Sequence, residues 1–156
     1  MSVADIIQAK GHTERFLLWP QLWWAYDSAR DLTWRHYRLS AVERQNIPNA
    51  PGVYTLLIQP NVADHPACSY LMYIGKAESL RRRFGRYLTS ERRESGRPKV
   101  WWGLNVYSDY IWFCYAPVPS DALDEIEGGL LAAHVPPWNT RLPAEMKKKV
   151  GAFRDV

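Results

Sequence analysis

Two short runs of β-branched and aromatic residues, Gly52 to Ile58 (Gly-Val-Tyr-Thr-Leu-Leu-Ile) and Tyr70 to Ile74 (Tyr-Leu-Met-Tyr-Ile), constrain the architecture of this chain more than any other feature. Such residues suit a pleated, half-buried surface, so both runs are expected as strands of a hairpin. Their connection, Gln59 to Ser69, carries two prolines, Asn61 and Asp64. It is longer than the usual hairpin loop of about two to five residues. A third strand is expected over Tyr110 to Ala116, where Ile111, Trp112, Phe113, Cys114 and Tyr115 form a near-continuous run of the kind found in a buried strand.

Two helices follow from periodicity. Leu80, Phe84, Tyr87 and Leu88 fall at i, i+4, i+7 and i+8 and make one apolar stripe, with Ser79 as N-cap. Arg83 stands four residues before Tyr87 and shares its face, whereas Arg81, Arg82 and Arg86 point elsewhere. A second helix starts at Ser120-Asp121, buries Leu123, Ile126, Leu130 and Leu131, and stops at Pro136-Pro137. Glu127 lies at the margin of its apolar face, half buried yet able to reach a groove. Upstream, Thr33 to Leu39 reads as a strand, and Ser40-Ala41-Val42-Glu43 as a capping box opening a short helix that ends at Ile47-Pro48.

The 156 residues suit one compact domain with an arm, divided here into a Trp-rich N-terminal extension (1–46, docking or packed on the core), a central domain (47–142) and a basic C-terminal helix or tail (143–156). Hydrophobic residues make up 47% and charged residues 23%, a globular balance. No stretch approaches the roughly 18 uninterrupted apolar residues of a membrane helix, and residues 1–11 lack the pattern of a secretory signal, so a soluble, cytoplasmic protein is expected. Cys68 and Cys114 lie far apart, and His12, His36, His65 and His134 are scattered; that spacing builds no tetrahedral zinc site.

The net charge of +4 is unevenly spread. Between Lys76 and Lys99 nine basic residues face three acidic ones. A local surplus of this size attracts polyanions, and neutralising phosphates with Lys and Arg is the main source of sequence-independent nucleic-acid affinity.

The order Gly52-Val53-Tyr54, Tyr73-Ile74-Gly75, an arginine-bearing helix and a glutamate helix ending in Pro-x-Asn resembles the GIY-YIG nuclease family. The spacing is most similar to the subclass containing the incision subunit of bacterial nucleotide excision repair. Its pattern Tyr-(Val/Ile)-Gly-Lys-Ala-x-x-Leu-x-x-Arg-x-x-x-Tyr is filled at every fixed position from Tyr73 to Tyr87. Glu127 stands twelve residues before Asn139, as in that subclass, and the resemblance runs from about Ile47 to Asn139. It implies an α+β fold, a small three-stranded antiparallel sheet flanked by helices. It also implies a divalent-metal-dependent endonuclease that hydrolyses phosphodiester bonds in nucleic acid, DNA more than RNA, with Mg²⁺ or Mn²⁺ as cofactor. The implied catalytic set is Tyr54, Tyr73, Lys76, Arg83, Tyr87, Glu127 and Asn139, with Glu127 as metal ligand.

These residue types suit the chemistry. Charge builds on the non-bridging and leaving oxygens during phosphodiester hydrolysis, and a metal with fixed cations must meet it. One carboxylate with several waters is a normal way to hold Mg²⁺. The fork of Arg83 matches a phosphate. Either Tyr54 or Tyr73 takes the proton of the attacking water; a phenol titrates near 10, so a neighbouring cation is required, and Lys76 is the candidate. Tyr87 is expected to bond the phosphate or the base, and Asn139 to orient substrate or brace the site. Val53 stands for the usual isoleucine and Trp138 for the usual tyrosine.

Outside the motifs, Arg92, Arg93, Arg97 and Lys99, followed by Trp101 and Trp102, form a basic and aromatic segment suited to a nucleic-acid groove together with Arg82 and Arg86. The alternative is a nucleic-acid-binding or complex-forming subunit whose cleavage is absent or partner-dependent. In either case the tryptophans of the arm (Trp19, Trp23, Trp24, Trp34) are a candidate surface for a protein partner or a homodimer.

Overall fold

The computed structural model describes residues 2–26, 31–62, 65, 67–93 and 96–154. Its strands are β1 (Arg35–Arg38), β2 (Gly52–Ile58), β3 (Tyr70–Ala77) and β4 (Ile111–Pro117). Its α-helices are α1 (Val3–Gly11), α2 (Pro20–Trp24), α3 (Leu80–Leu88), α4 (Ser90–Arg93), α5 (Pro98–Val106), α6 (Leu123–His134) and α7 (Ala144–Arg154). The strands form one antiparallel sheet in the order β1-β4-β2-β3.

Alternation along β2 sends side chains to two separate cores. Tyr54, Leu56 and Ile58 join Phe113 and Tyr115 of β4 against Leu80, Phe84 and Tyr87 of α3 and Val100 and Leu104 of α5. Val53 joins Ile74 and Ala116 against Leu123, Ile126, Leu130 and Leu131 of α6 and Met146 and Val150 of α7. A strand covered on both faces needs apolar residues at successive positions, which is why β2 shows no polar face. Ser79 caps α3 by accepting the Arg82 amide at 3.2 Å.

The pairing of β2 with β3 slips by one residue between Leu56 and Leu57: Leu56 faces Tyr73, and Leu57 faces Leu71. The extra residue, Met72, is buried in the first core, where Tyr73 packs as well. A bulge of this kind re-aims side chains, and here it sets Tyr73 beside Tyr54 with ring centroids 6.2 Å apart.

β3 is the sheet edge, and the segment after α6 covers it. The Trp138 amide donates to the Met72 carbonyl at 2.9 Å. The Asn139 carboxamide then acts as a peptide unit would: Oδ1 accepts from the Ile74 amide at 2.9 Å, and Nδ2 donates to the Ile74 carbonyl at 2.8 Å. The chain turns into this segment at Val135, which takes a left-handed conformation (φ 45°) after the last turn of α6.

Three expectations are corrected. The sheet has four strands rather than three, because Arg35–Arg38 pairs with β4 along its whole length. That strand lies within the span read as an extension, so residues 35–38 belong to the sheet. Ala41–Asn46 is a 3-10 helix, and the Ser40 side chain makes no capping bond; Glu43 instead accepts from the Asn46 side chain at 2.7 Å. The second motif helix begins at Leu123, after a 3-10 turn over Ser120–Ala122, and Ser120 donates its hydroxyl to Glu78 rather than capping.

The arm is part packed, part exposed. Leu22 is buried in the second core, with Leu17, Trp19 and Tyr26 against it, while Trp23 and Trp24 are exposed. No described helix is long and apolar enough to cross a membrane.

Candidate active site

The motif residues meet where the edge strand β3 passes between α3 and α6. Lys76 points to the α6 side, because it is the β3 partner of Val53, whereas Tyr73 and Tyr54 lie on the α3 side. A groove of about 790 Å³ crosses this edge, lined by Tyr73, Lys76, Arg83, Arg86, Glu91, Arg97, Glu127, Trp138, Asn139, Thr140 and Arg141, among others. A second groove of about 300 Å³ shares Lys76, Arg83 and Arg86 and continues past Ser79 and Arg82 to Ser120 and Asp124.

Behind the groove sits a buried tyrosine pair. The hydroxyls of Tyr54 and Tyr87 are 2.8 Å apart, and both side chains are almost fully buried. Tyr54 stacks on Phe113 with centroids 5.0 Å apart, and its ring lies over the backbone of Gly75: a Cβ there would come 2.5 Å from the phenol oxygen. The glycine of the second motif is thus required by the tyrosine of the first. Burial, with Tyr87 and Tyr73 adding to it, pushes the Tyr54 phenol well above its ordinary range. Burial likewise pushes Tyr87 up to about 12. Both stay neutral near pH 7.

Tyr73 differs: it is half-buried and lines the groove. Its hydroxyl oxygen accepts from Nη1 of Arg97 at 2.8 Å, and the same nitrogen lies 3.4 Å from the Tyr87 hydroxyl. Arg97, expected as a nucleic-acid contact, lines the groove and is built into the tyrosine cluster. Nη2 of Arg97 pairs with Glu91 at 2.8 Å, and Arg86 reaches the same carboxylate oxygen at 3.2 Å.

Lys76, expected to be the cation beside Tyr73, turns to α6. It pairs with Glu127 at 2.9 Å and with Asp124, one turn earlier on the same helix face. Hydrogen bonds to Asp124 and then Glu127 raise its pKa. Glu127 is about one-fifth exposed and opens on the groove, as its place at the margin of the α6 stripe predicted. Arg83 lines both grooves, close enough to the buried tyrosines to oppose the rise of their pKa values. Asn139 is buried and commits its carboxamide to Ile74, the residue after Tyr73, which is the geometry of a brace.

Among the six basic residues outside the catalytic set, Arg82 and Arg86 line the grooves. Arg93 and Lys99 are exposed outside both, with Lys99 donating to the Pro137 carbonyl at 3.1 Å. The Arg92 side chain lies outside the described residues. Sequence reasoning missed Glu91, Asp124 and Arg141. Asp124 and Glu127 are three apart on one helix, a spacing that places them on one face, so Asp124 was legible. Glu91 was not, because α3 ends at Leu88 and no helical period links Glu91 to Arg86.

The donor set bears on a metal ion. Among the described residues no three His, Cys, Asp or Glu side chains cluster closely enough to cage one. A single carboxylate ligand with room for water fits Mg²⁺ or Mn²⁺, hard cations that keep several waters, and does not amount to an all-protein cage. Glu127 is the residue that would hold it.

No protein-family model matches the chain, and no curated protein matches it. Solved structures similar to it are of the GIY-YIG N-terminal endonuclease domain of UvrC from Thermotoga maritima. The form bound to magnesium as its catalytic divalent cation is 21% identical, over 64% of this chain and 93% of that one, with a TM-score of 0.45. A point mutant of the same domain bound to its catalytic divalent cation is 21% identical, over 65% of this chain and 99% of that one, with a TM-score of 0.44. The motif order of this chain resembles the same GIY-YIG family.

Proposed function

We propose that the chain is a GIY-YIG endonuclease that hydrolyses phosphodiester bonds in DNA with the help of one Mg²⁺ or Mn²⁺ ion. The observation that carries this reading is the groove itself. Tyr73, Arg83, Glu127 and Asn139 come from a strand, two helices and a loop, and all four line it. An unrelated core would have no reason to gather a phenol, a guanidinium and a carboxylate on one wetted wall.

Tyr73 is the base in this reading, since it faces the groove while Tyr54 is buried behind it and held neutral. The cation beside that oxygen is Arg97, which donates to it directly. Arg83 receives a non-bridging phosphate oxygen, a task for its permanent charge and planar fork. Lys76 holds the Glu127 carboxylate in place, and Asn139 keeps β3, hence Tyr73, in register. Glu127 would hold the metal ion, which would supply charge stabilisation for the reacting phosphate and its leaving oxygen. Arg82, Arg86 and Arg141 extend the wall along the path of the phosphates.

One observation favours the second reading, a binding subunit with dormant cleavage: the Lys76 ammonium occupies Glu127 as the structure stands. Incubating the purified chain with supercoiled plasmid, branched DNA and matched RNA, with Mg²⁺, Mn²⁺ or chelator, separates the two. Metal-dependent cutting of DNA supports the endonuclease. Tight binding without cutting under every condition supports the dormant subunit, and preferential cutting of RNA corrects the substrate class.

A further inference from the structure

We infer that Glu91 and Arg97 form a positioning pair for Tyr73, an element of the site that the motif residues do not include; the inference rests on the endonuclease reading above. Among the described residues, the Arg97 guanidinium meets Tyr73, Tyr87 and Glu91. Nη1 serves the Tyr73 oxygen at 2.8 Å and lies 3.4 Å from that of Tyr87, and Nη2 serves Glu91 at 2.8 Å. The guanidinium carbon lies 5.5 Å from the Tyr73 ring centroid and 5.7 Å from that of Tyr87, so the charge is held over both faces as well as at both oxygens. A flexible surface arginine would not keep a planar fork in this position. Glu91 supplies the constraint from the far side.

Glu91 is costly to bury. Its side chain is 5% exposed, and its Oε2 is buried with no hydrogen-bond partner among the described residues. Desolvating a carboxylate carries a penalty that even well-made ion pairs often do no more than offset, and an oxygen without a partner adds to it. Stability alone therefore does not account for it. An account that does is orientation: Glu91 takes one edge of the Arg97 fork, so the other edge must face Tyr73. Arg86, half exposed and 3.2 Å from the same oxygen, neutralises the acid from the groove side. With its oxygen accepting from Arg97, Tyr73 is held in one rotamer against the groove, and a proton arriving from water meets an oxygen next to a fixed positive charge. Proton transfer to a positioned side chain contributes about 10²–10⁴-fold to rate, which sets the scale of what misplacement forfeits.

The test is steady-state cleavage of a short DNA by the full chain and by Arg97→Met, Arg97→Lys, Glu91→Gln and the double variant Glu91→Gln/Arg97→Met, with thermal midpoints recorded for each. Arg97→Met is expected to lose about 100-fold or more in kcat while KM stays within about twofold, the signature of a group that acts on the reacting centre and not on substrate binding. Arg97→Lys, which keeps the charge but not the fork, is expected to recover about tenfold of that loss. The double variant removes the acid along with its partner, so its midpoint should rise above that of Arg97→Met while kcat stays low. A raised KM with kcat intact would make Arg97 an ordinary phosphate contact and overturn the inference. So would a kcat that recovers with stability in the double variant. If the native chain cuts while Arg97→Met cuts equally well, the positioning pair falls and the endonuclease stands; if the native chain cuts nothing, both fall together.

Discussion

Single residues account for the order of the motifs. Gly75 follows Tyr73 by two positions because the cross-strand partner of Gly75 is Tyr54, whose ring fills the space a side chain would need. Gly75→Ala must displace that ring, and overpacking of this kind costs about 1–3 kcal/mol; a denaturant midpoint matching that of the native chain would contradict the packing described here. The buried tyrosines set a second expectation. Tyr87 is pushed up to about 12, and Tyr54 is raised as well, above an ordinary value of 10.0. Between those values the folded chain holds protons that the unfolded chain has released. The contribution is therefore intact below pH 10 and is lost as pH rises towards 12. The stability of the native chain should fall through this window, and Tyr87→Phe should fall less steeply in parallel titrations. Parallel curves would show that the phenols are not held neutral by burial.

Elements explain how the site is carried and why part of it was hidden. Strands β2, β3 and β4 and helices α3 and α6 were legible because burial imposes a pattern on each: apolar runs on the strands, a stripe of Leu80, Phe84 and Tyr87 on α3, and Leu123, Ile126 and Leu130 on α6. β1 (Arg-His-Tyr-Arg) was legible as a strand within Thr33 to Leu39, but its membership in the sheet, as an edge with one half-buried residue, comes from backbone pairing, which leaves no mark on side-chain type. The bulge at Met72 and the Glu91–Arg97 pair were hidden for the same reason, since register and tertiary contact decide them. Asn139 was legible as a motif residue but its task was not. Its carboxamide stands in for a strand partner, so Asn139→Ala leaves two backbone groups of β3 without their bonds, at a cost of about 1–3 kcal/mol. Hydrogen exchange should locate the damage at the Ile74 amide; unchanged protection there would remove the bracing role.

At the scale of the molecule, the helix-sheet-helix layering leaves a groove along one sheet edge between α3 and α6, and the basic residues of α3 border it. The surplus between Lys76 and Lys99 is thus divided: Arg82, Arg83 and Arg86 line the grooves, and Arg97 is engaged within the site. Affinity for duplex DNA should fall with salt, and Gln at both Arg82 and Arg86 should flatten the log–log slope by about 0.9 for each phosphate that is no longer neutralised. An unchanged slope would move the binding face elsewhere on the surface. Removing the whole extension, residues 1–46, would also delete β1, so a test of docking through the arm should stop before Arg35.

The most direct test of the central claim is nicking of supercoiled plasmid in Mg²⁺ by the native chain and Glu127→Ala side by side, with chelator added to a third sample. The groove as described predicts nicking by the native chain, none with chelator, and a loss of about 10³-fold or more in the variant, the scale of several kcal/mol of charge stabilisation. A Glu127→Ala chain that nicks as fast as the native one would contradict it.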